Sequence, residues 1–169
     1  MDFEITHTFD ADREVVEQAM FELELAPFLL KNMTLVTHIE LKEKKEDDKG
    51  IARKVHYVPV PMIKKVGTFD VEPEWMAWIE HSRFDRASHR LEFENVPVVK
   101  QIAELMEQKG TIRFEPAGPG KTKRVVSGVL KVKFPILGRV AEKIIYPNAE
   151  KILDEEARAF NAYLQQRKA

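Results

Sequence analysis

The sequence contains no cysteine among its 169 residues. Disulfides, thiolate nucleophiles, thiolate metal sites and iron–sulfur clusters are therefore excluded. The sequence also lacks an excess of charge of either sign, because 27 Lys and Arg side chains stand against 28 Asp and Glu, which gives a net charge of -1. Without a basic surface field, a protein has no general electrostatic attraction to nucleic acid. No nucleic-acid partner is expected.

Long apolar segments are scarce as well. No uninterrupted apolar run approaches the roughly 20 residues that a membrane-spanning helix needs, and the acidic start Met-Asp-Phe-Glu has no apolar signal core. The expected compartment is the cytoplasm. Hydrophobic residues nevertheless make up 44% of the sequence and are spread along its whole length without a linker or an internal repeat. Residues 1–169 are therefore expected to form one domain around one core.

Alternating apolar and polar residues predict a series of β-strands. In the first strand, residues 2–9, the side chains of Phe3, Ile5, His7 and Phe9 share one face. Further strands are predicted at 34–45, 51–58, 66–72, 76–84, 89–94, 111–115 and 124–134. Residues 47–50 predict a hairpin turn. Pairing Leu41 with Val55 and Ile39 with Tyr57 across this turn requires a bulge or an odd-length loop, because a two-residue turn would put these apolar side chains on opposite faces.

Helical spacing predicts two short helices after the first strand, one capped by Asp10 or Asp12 and one over 28–32. A short helix or lid is expected within 98–108. A long helix follows over 137–166, and Pro147 is expected to divide it into separate pieces over 138–146 and 148–166. Strands followed by a long helix predict an α+β fold, with the helix packed on an antiparallel sheet.

Two blocks of the sequence resemble a known family. Ile5-Thr-His-Thr-Phe-Asp10, and above all Val126-Ser-Gly-Val-Leu-Lys-Val-Lys-Phe-Pro-Ile-Leu-Gly138 with Glu142 and the long helix, are similar to the START/Bet v 1-like (SRPBCC) superfamily. The chain is most similar to the bacterial branch called domain of unknown function 2505, over nearly its whole length. The specific part is the Phe-Pro-x-x-Gly junction that ends at Gly138. The resemblance implies a helix-grip fold, in which a curved sheet of about seven strands wraps the C-terminal helix and leaves an apolar cavity.

The same resemblance implies that the cavity holds a hydrophobic small molecule or a lipid. The candidate ligand-binding residues are side chains predicted to face the interior: His7, Phe9, Tyr57, Trp78, Phe93, Phe114, Leu130, Phe134, Ile145, Ile152 and Phe160. Each of them also suits ordinary core packing, and it is the resemblance that favours a cavity for the set. The space between Ile152, Phe160, Tyr57, Phe93 and Leu130 is expected to be a void of at least about 300 Å³.

Motifs for catalysis or metal binding are missing. The five histidines show neither HxxxH nor HExxH spacing, so no metal site is predicted. Ser127 has no Gly-x-Ser-x-Gly context, so a nucleophile elbow is absent. His38 and His56 are placed on the outer faces of their strands, with Glu40 opposite His56 as a solvated cross-strand pair. Neither a cofactor nor a catalytic residue is assigned.

Three functions remain open at this point. Non-enzymatic binding or transport of the hydrophobic ligand is the simplest. A polyketide cyclase- or hydrolase-like enzyme is the second, with His7 and Glu80 as acid–base groups on one cavity wall, although Glu80 and Glu156 also suit a solvated rim. A protein-interaction module with a filled core is the third. Residues 59–65 combine prolines, apolar residues and two lysines, which makes this segment a candidate for transient contact with a membrane surface.

Overall fold

The computed structural model describes residues 1–61, 63–66, 68–135 and 137–168, without the side chains of Val66 and Phe69. The elements follow the order β1 (Asp2–Phe9), α1 (Arg13–Ala19), α2 (Leu25–Asn32), β2 (Val36–Glu46), β3 (Gly50–Pro59), β4 (Lys65–Val66), β5 (Phe69–Asp70), a 3-10 helix (Pro73–Met76), β6 (Trp78–Asp85), β7 (Arg90–Pro97), α3 (Lys100–Leu105), β8 (Met106–Pro116), β9 (Thr122–Val132) and α4 (Gly138–Lys168). None of these helices is both long enough and apolar enough to cross a membrane.

Seven strands form one antiparallel sheet in the order β1-β9-β8-β7-β6-β3-β2, and β4 and β5 form a separate two-stranded hairpin. The strands β1 and β2 are consecutive in the chain but lie at opposite edges of the sheet. The helices α1 and α2 make the connection between them, and α2 packs on both β2 and α4. This arrangement confirms the predicted helix-grip architecture.

The β2–β3 hairpin has the register that the apolar pattern predicts. Leu41 pairs with Val55 and Ile39 with Tyr57, and the ladder shifts by one residue between Leu41 and Glu43. The expected bulge is therefore present. At the turn, the Asp47 carboxylate accepts hydrogen bonds from the backbone amides at positions 49 and 50, each at 2.9 Å.

Three local predictions are wrong or incomplete. The strand expected at 66–72 is reduced to the short strands β4 and β5, followed by the 3-10 helix with Pro73 at its start; Gly67 lies outside the described residues. The helix expected within 98–108 is α3, but β8 already begins at Met106. The cap expected for α1 is absent, because the Asp10 and Asp12 carboxylates accept instead from Asn161 and from the amide of Gly120.

The C-terminal helix α4 is continuous through Pro147, so the expected division into two pieces is wrong. Pro147 lacks the amide that would donate to the Lys143 carbonyl. The proline lies on the exposed side of the helix, where water can satisfy a carbonyl. Next to it, the Asn148 side-chain amide donates to the Ile144 carbonyl at 3.0 Å. The interruption is therefore confined to one backbone hydrogen bond.

The start of α4 lies directly against the end of β9. A Cβ atom at Gly138 would lie 2.2 Å from the Val132 carbonyl oxygen, which explains why the Phe-Pro-x-x-Gly junction ends in glycine. The Glu142 carboxylate then accepts a hydrogen bond from the Val132 amide at 2.9 Å. These contacts fix the direction in which the helix leaves the sheet.

A second contact holds the middle of α4. The buried Glu155 carboxylate accepts from the Thr34 amide at 2.7 Å, the Thr34 hydroxyl at 2.6 Å and the Leu35 amide at 2.9 Å. From this point onward the helix packs into the core, and its buried apolar residues are Ala157, Ala159, Phe160, Tyr163 and Leu164. Between 143 and 154, all of which the structure describes, no side chain is fully buried.

Candidate functional site

A cavity of about 860 Å³ lies between the inner face of the sheet, the α1–α2 segment and the less buried half of α4. Its lining is mainly apolar and includes six of the predicted ligand-binding residues: Tyr57, Trp78, Phe93, Phe134, Ile145 and Ile152. An apolar void larger than the expected minimum of about 300 Å³ is present, but Phe160 and Leu130, two of the five residues expected to surround it, do not line it. A cavity of this size does not agree with the filled-core alternative.

The other five predicted residues do not line the cavity. Phe9 and Phe160 contact each other edge to face with ring centroids 5.1 Å apart, and Phe114 packs on Phe84. Leu130 is only 1% exposed and lies apart from the lining. These four side chains fill the packed part of the molecule, because alternation identifies inward-facing residues without showing which of them meet a void.

His7 is the fifth of these residues. Its Nε2 lies 2.9 Å from Asp154 Oδ1, and Arg124 donates to its Nδ1 at 3.2 Å. Burial and the neighbouring Arg124 charge lower the pKa of His7. Glu80 lines the cavity while His7 does not. The acid–base pair proposed for the enzyme alternative is therefore not assembled on one wall.

Two arginine–glutamate pairs line the cavity. Arg53 Nη2 lies 3.4 Å from Glu80 Oε1, and Arg124 Nη2 lies 2.7 Å from Glu156 Oε2. The Arg53 guanidinium also donates to the Met20 carbonyl at 3.0 Å. Because charges removed from water need partners, each arginine supplies a cationic partner for one glutamate side chain inside a mostly apolar space. The cavity thus contains polar groups but no large net charge.

The sequence interpretation missed both arginines. The basic residues within 121–124 are typical of a solvated turn, yet Arg124 is 3% exposed. The strand alternation indicates that each arginine faces inward. Arg53 shares its strand face with Ile51, Val55 and Tyr57, and Arg124 shares its face with Val126. A charged residue within an inward-facing series is the pattern that indicates a paired charge in a cavity wall.

Some polar atoms of the lining have no partner. Among the described residues, Asn95 Oδ1, Arg124 Nε and Glu156 Oε2 are buried without a hydrogen bond, and all three residues line the cavity. Glu156 Oε2 has its ion-pair contact with Arg124 instead. Tyr57 stacks on Trp78 with ring centroids 5.2 Å apart. Burial, and then the Glu80 charge, raise the pKa of Tyr57 far above its usual value. Its hydroxyl therefore stays protonated and available as a donor.

The cavity reaches the surface at a rim with exposed apolar side chains. Leu23, Trp75 and Phe134 line it and remain exposed. Ile63, in the segment singled out for membrane contact, also lines it. A ligand can therefore approach along an apolar rim.

Comparison with known proteins places this arrangement in a family. The chain matches the family described as "Protein of unknown function (DUF2505)" over residues 4–164. No match was found among curated protein sequences.

Solved structures share the fold at low sequence identity. TTHA0849 from Thermus thermophilus is 20% identical, with a TM-score of 0.71 and 100% of both chains covered. The Zhui aromatase/cyclase from Streptomyces sp. R1128 is 13% identical, with a TM-score of 0.65 over 100% of this chain and 96% of that one. A START superfamily protein from Mycobacterium smegmatis is 14% identical, with a TM-score of 0.56 over 98% and 97%. With its seven-stranded sheet, its gripped helix and this family match, the chain belongs to the DUF2505 family and has the START/Bet v 1-like fold.

Proposed function

We propose that the protein binds a hydrophobic small molecule or a lipid in the cavity between the sheet and α4, without catalysis. The cavity itself carries the proposal, because about 860 Å³ of mainly apolar space lies within the range of ligand pockets, roughly 300–1,000 Å³. A packed protein interior has few voids larger than a water molecule. A ligand is what stabilises so large an apolar space.

The unpaired polar atoms indicate what else the ligand carries. A buried polar group without a hydrogen bond costs about 1–3 kcal/mol. Asn95 Oδ1 needs a donor and Arg124 Nε needs an acceptor. A ligand with a hydroxyl or carbonyl group on an apolar skeleton supplies such partners. The favoured class is therefore a largely apolar molecule with a small oxygen-containing polar group.

The enzyme alternative has less support. The Zhui protein is an aromatase/cyclase with the same fold, but a cyclase-like reaction needs a free acid or base near the ligand. Here Glu80 and Glu156 each face an arginine, and His7 is held by Arg124 and Asp154 outside the lining. The charged groups of the cavity are paired with groups of opposite charge, which favours ligand binding over catalysis.

The first prediction tests the cavity by filling it. Ile152 lines the cavity from α4 and is half-buried, whereas its neighbour Lys151 is exposed and outside the lining. Ile152→Trp is expected to weaken binding of a fluorescent fatty acid at least tenfold, which is about 1.4 kcal/mol. Lys151→Trp is the matched control and should bind like the wild type. Fluorescence titration measures both variants.

Native mass spectrometry of the purified protein completes the test. An apolar molecule bound to the wild type and lost in Ile152→Trp supports the proposal. A folded Ile152→Trp protein with unchanged fatty-acid affinity contradicts it.

We further propose that the cavity rim contacts anionic lipid bilayers. The start of α4 and the residues before it expose four large apolar side chains next to exposed Arg139 and Lys143; these are Phe134, Leu137, Val140 and Ile144. Phe134 also lines the cavity. Each basic residue near an anionic surface contributes about 1 kcal/mol, and the apolar side chains add burial in the interface.

Vesicle sedimentation tests this contact as the second prediction. Vesicles of phosphatidylcholine with phosphatidylserine are expected to bind the protein, and Lys143→Ser should reduce binding about fivefold, as expected for about 1 kcal/mol. Lys121→Ser is the control, since Lys121 lies at the turn before β9, at the other end of that strand from Phe134. Equal binding to vesicles of phosphatidylcholine alone, or equal loss in both variants, contradicts the contact.

A further inference from the structure

Three side chains with metal-ligating atoms meet on the outer face of the β2–β3 hairpin. His38 and Glu40 lie two residues apart on β2, so both point away from the face that carries Ile39 and Leu41. His56 on β3 is the register partner of Glu40. The sequence interpretation foresaw the neighbouring positions of Glu40 and His56 but not the participation of His38. The signal was a His-x-Glu pair in a strand whose hairpin partner carries a second histidine.

The distances suit one ion. His38 Nε2 lies 3.1 Å from Glu40 Oε2, and the His38 and His56 rings have centroids 5.2 Å apart at an interplanar angle of 65°. One ligand atom from each of the three residues lies within 4.8 Å of the other two. Zinc binds imidazole nitrogen and carboxylate oxygen at about 2.0–2.2 Å, so neighbouring ligand atoms stand about 3–3.5 Å apart. Small side-chain rotations close the remaining gap.

The surroundings leave these atoms free to bind. Lys42 Nζ donates to Glu40 Oε1 at 3.3 Å, which leaves Oε2 facing His38. The side chains of His38 and Glu40 are 43% and 48% exposed. Solvent therefore reaches the site and can occupy a fourth coordination position.

We propose that His38, Glu40 and His56 form a surface site for a divalent transition metal, with Zn²⁺ as the preferred ion. Two imidazoles and one carboxylate are a common ligand set for zinc. Magnesium and calcium prefer six or more oxygen ligands and fit this set poorly. Of the three residues, Glu40 also borders the ligand cavity, whereas His38 and His56 lie outside its lining.

Isothermal titration calorimetry with ZnCl₂ tests the site. The wild type is expected to bind one Zn²⁺ per chain, while MgCl₂ gives no binding. His38→Ala, His56→Ala and Glu40→Gln should each weaken zinc binding at least tenfold. His81→Ala is the matched control, since His81 is exposed on β6 and outside the cluster; it should bind like the wild type.

Two further measurements distinguish a variant that has lost a metal ligand from a variant that has failed to fold. Circular dichroism checks each variant, and Glu40→Gln changes an exposed side chain with little change in shape, so it should remain folded. Side-chain NMR of the wild type should show the ring resonances of His38 and His56 shifting on zinc addition. The proposal is overturned if the wild type does not bind zinc, if folded Glu40→Gln binds zinc as tightly as the wild type, or if His81→Ala weakens binding equally. Ile152→Trp should keep zinc binding, which distinguishes failure of this site from failure of the cavity.

Discussion

The His7 imidazole is held in one tautomer by its two neighbours. Arg124 can only donate, so Nδ1 of His7 is the acceptor and Nε2 carries the hydrogen that is donated to Asp154. Glu156 lies on the other side of Arg124, at 2.7 Å. This chain of polar contacts joins β1, β9 and α4. Burial and the Arg124 charge favour the neutral form of the ring and outweigh the opposite effect of Asp154 and Glu156.

The stability of the protein should therefore fall in mild acid. Burial, followed by the Arg124 charge, lowers the folded-state pKa of His7 below 6.5. The unfolded chain then binds a proton more readily than the folded one, and stability decreases as the pH falls through about 6.5. His7→Gln can keep both hydrogen bonds without titrating. Urea unfolding at about pH 7.5 and about pH 5.5 should show a smaller loss of stability in His7→Gln than in the wild type.

The exposed His81 provides the control for the prediction on His7→Gln. His81→Gln removes a histidine outside the contact chain of His7, so it should lose as much stability in acid as the wild type does. A His7→Gln protein with the full acid-induced loss would show that other groups determine the pH dependence.

Among the elements, α4 contains a proline, Pro147, whose replacement should stabilise the protein. A proline in a helix interior costs about 3 kcal/mol relative to alanine, while removal of a proline returns about 0.4–1 kcal/mol of entropy to the unfolded chain. Because α4 already continues through position 147, Pro147→Ala needs no rearrangement. A gain of about 2 kcal/mol in the free energy of unfolding is expected, measured by urea denaturation.

Lys151→Ala on the same helix is the reference for that change. Substitution of an exposed surface residue usually changes stability by less than about 0.5 kcal/mol. A Pro147→Ala protein no more stable than Lys151→Ala would mean that water and the Asn148 side chain already compensate for the missing amide.

How well each element could be predicted depended on how local its determinants are. The β2–β3 register follows from alternation together with the turn at 47–50, since a slip of one residue would put Leu41 and Val55 on opposite faces. The strand expected at 66–72 failed because a proline at position 73 ends the extended segment and starts a 3-10 helix. The helix break expected at Pro147 failed because a proline on the exposed side costs only one hydrogen bond.

At the scale of the whole molecule, the sequence identified the fold but only part of the site. The family resemblance carried by the junction ending at Gly138 implied the helix-grip architecture, which the seven-stranded sheet confirms. The cavity lining was harder to predict, because Phe9 and Tyr57 both face inward and only the three-dimensional packing shows that Tyr57 meets the void. The half-buried Arg53 and the buried Arg124 were missed because a charged side chain is normally a sign of solvent exposure.

Because α4 is unevenly buried, its parts need not unfold together. Glu142 and Glu155 fix the helix to β9 and to the start of β2, and the span between them has no fully buried side chain. Local unfolding of this span exposes little apolar core, so it costs only a fraction of the global free energy of unfolding. The part of α4 that covers the cavity is thus a segment of low local stability between the contacts of Glu142 and Glu155. For the ligand binding proposed above, transient melting of a few helical turns would give an entrance wider than the rim, while the packed half of the molecule stays folded.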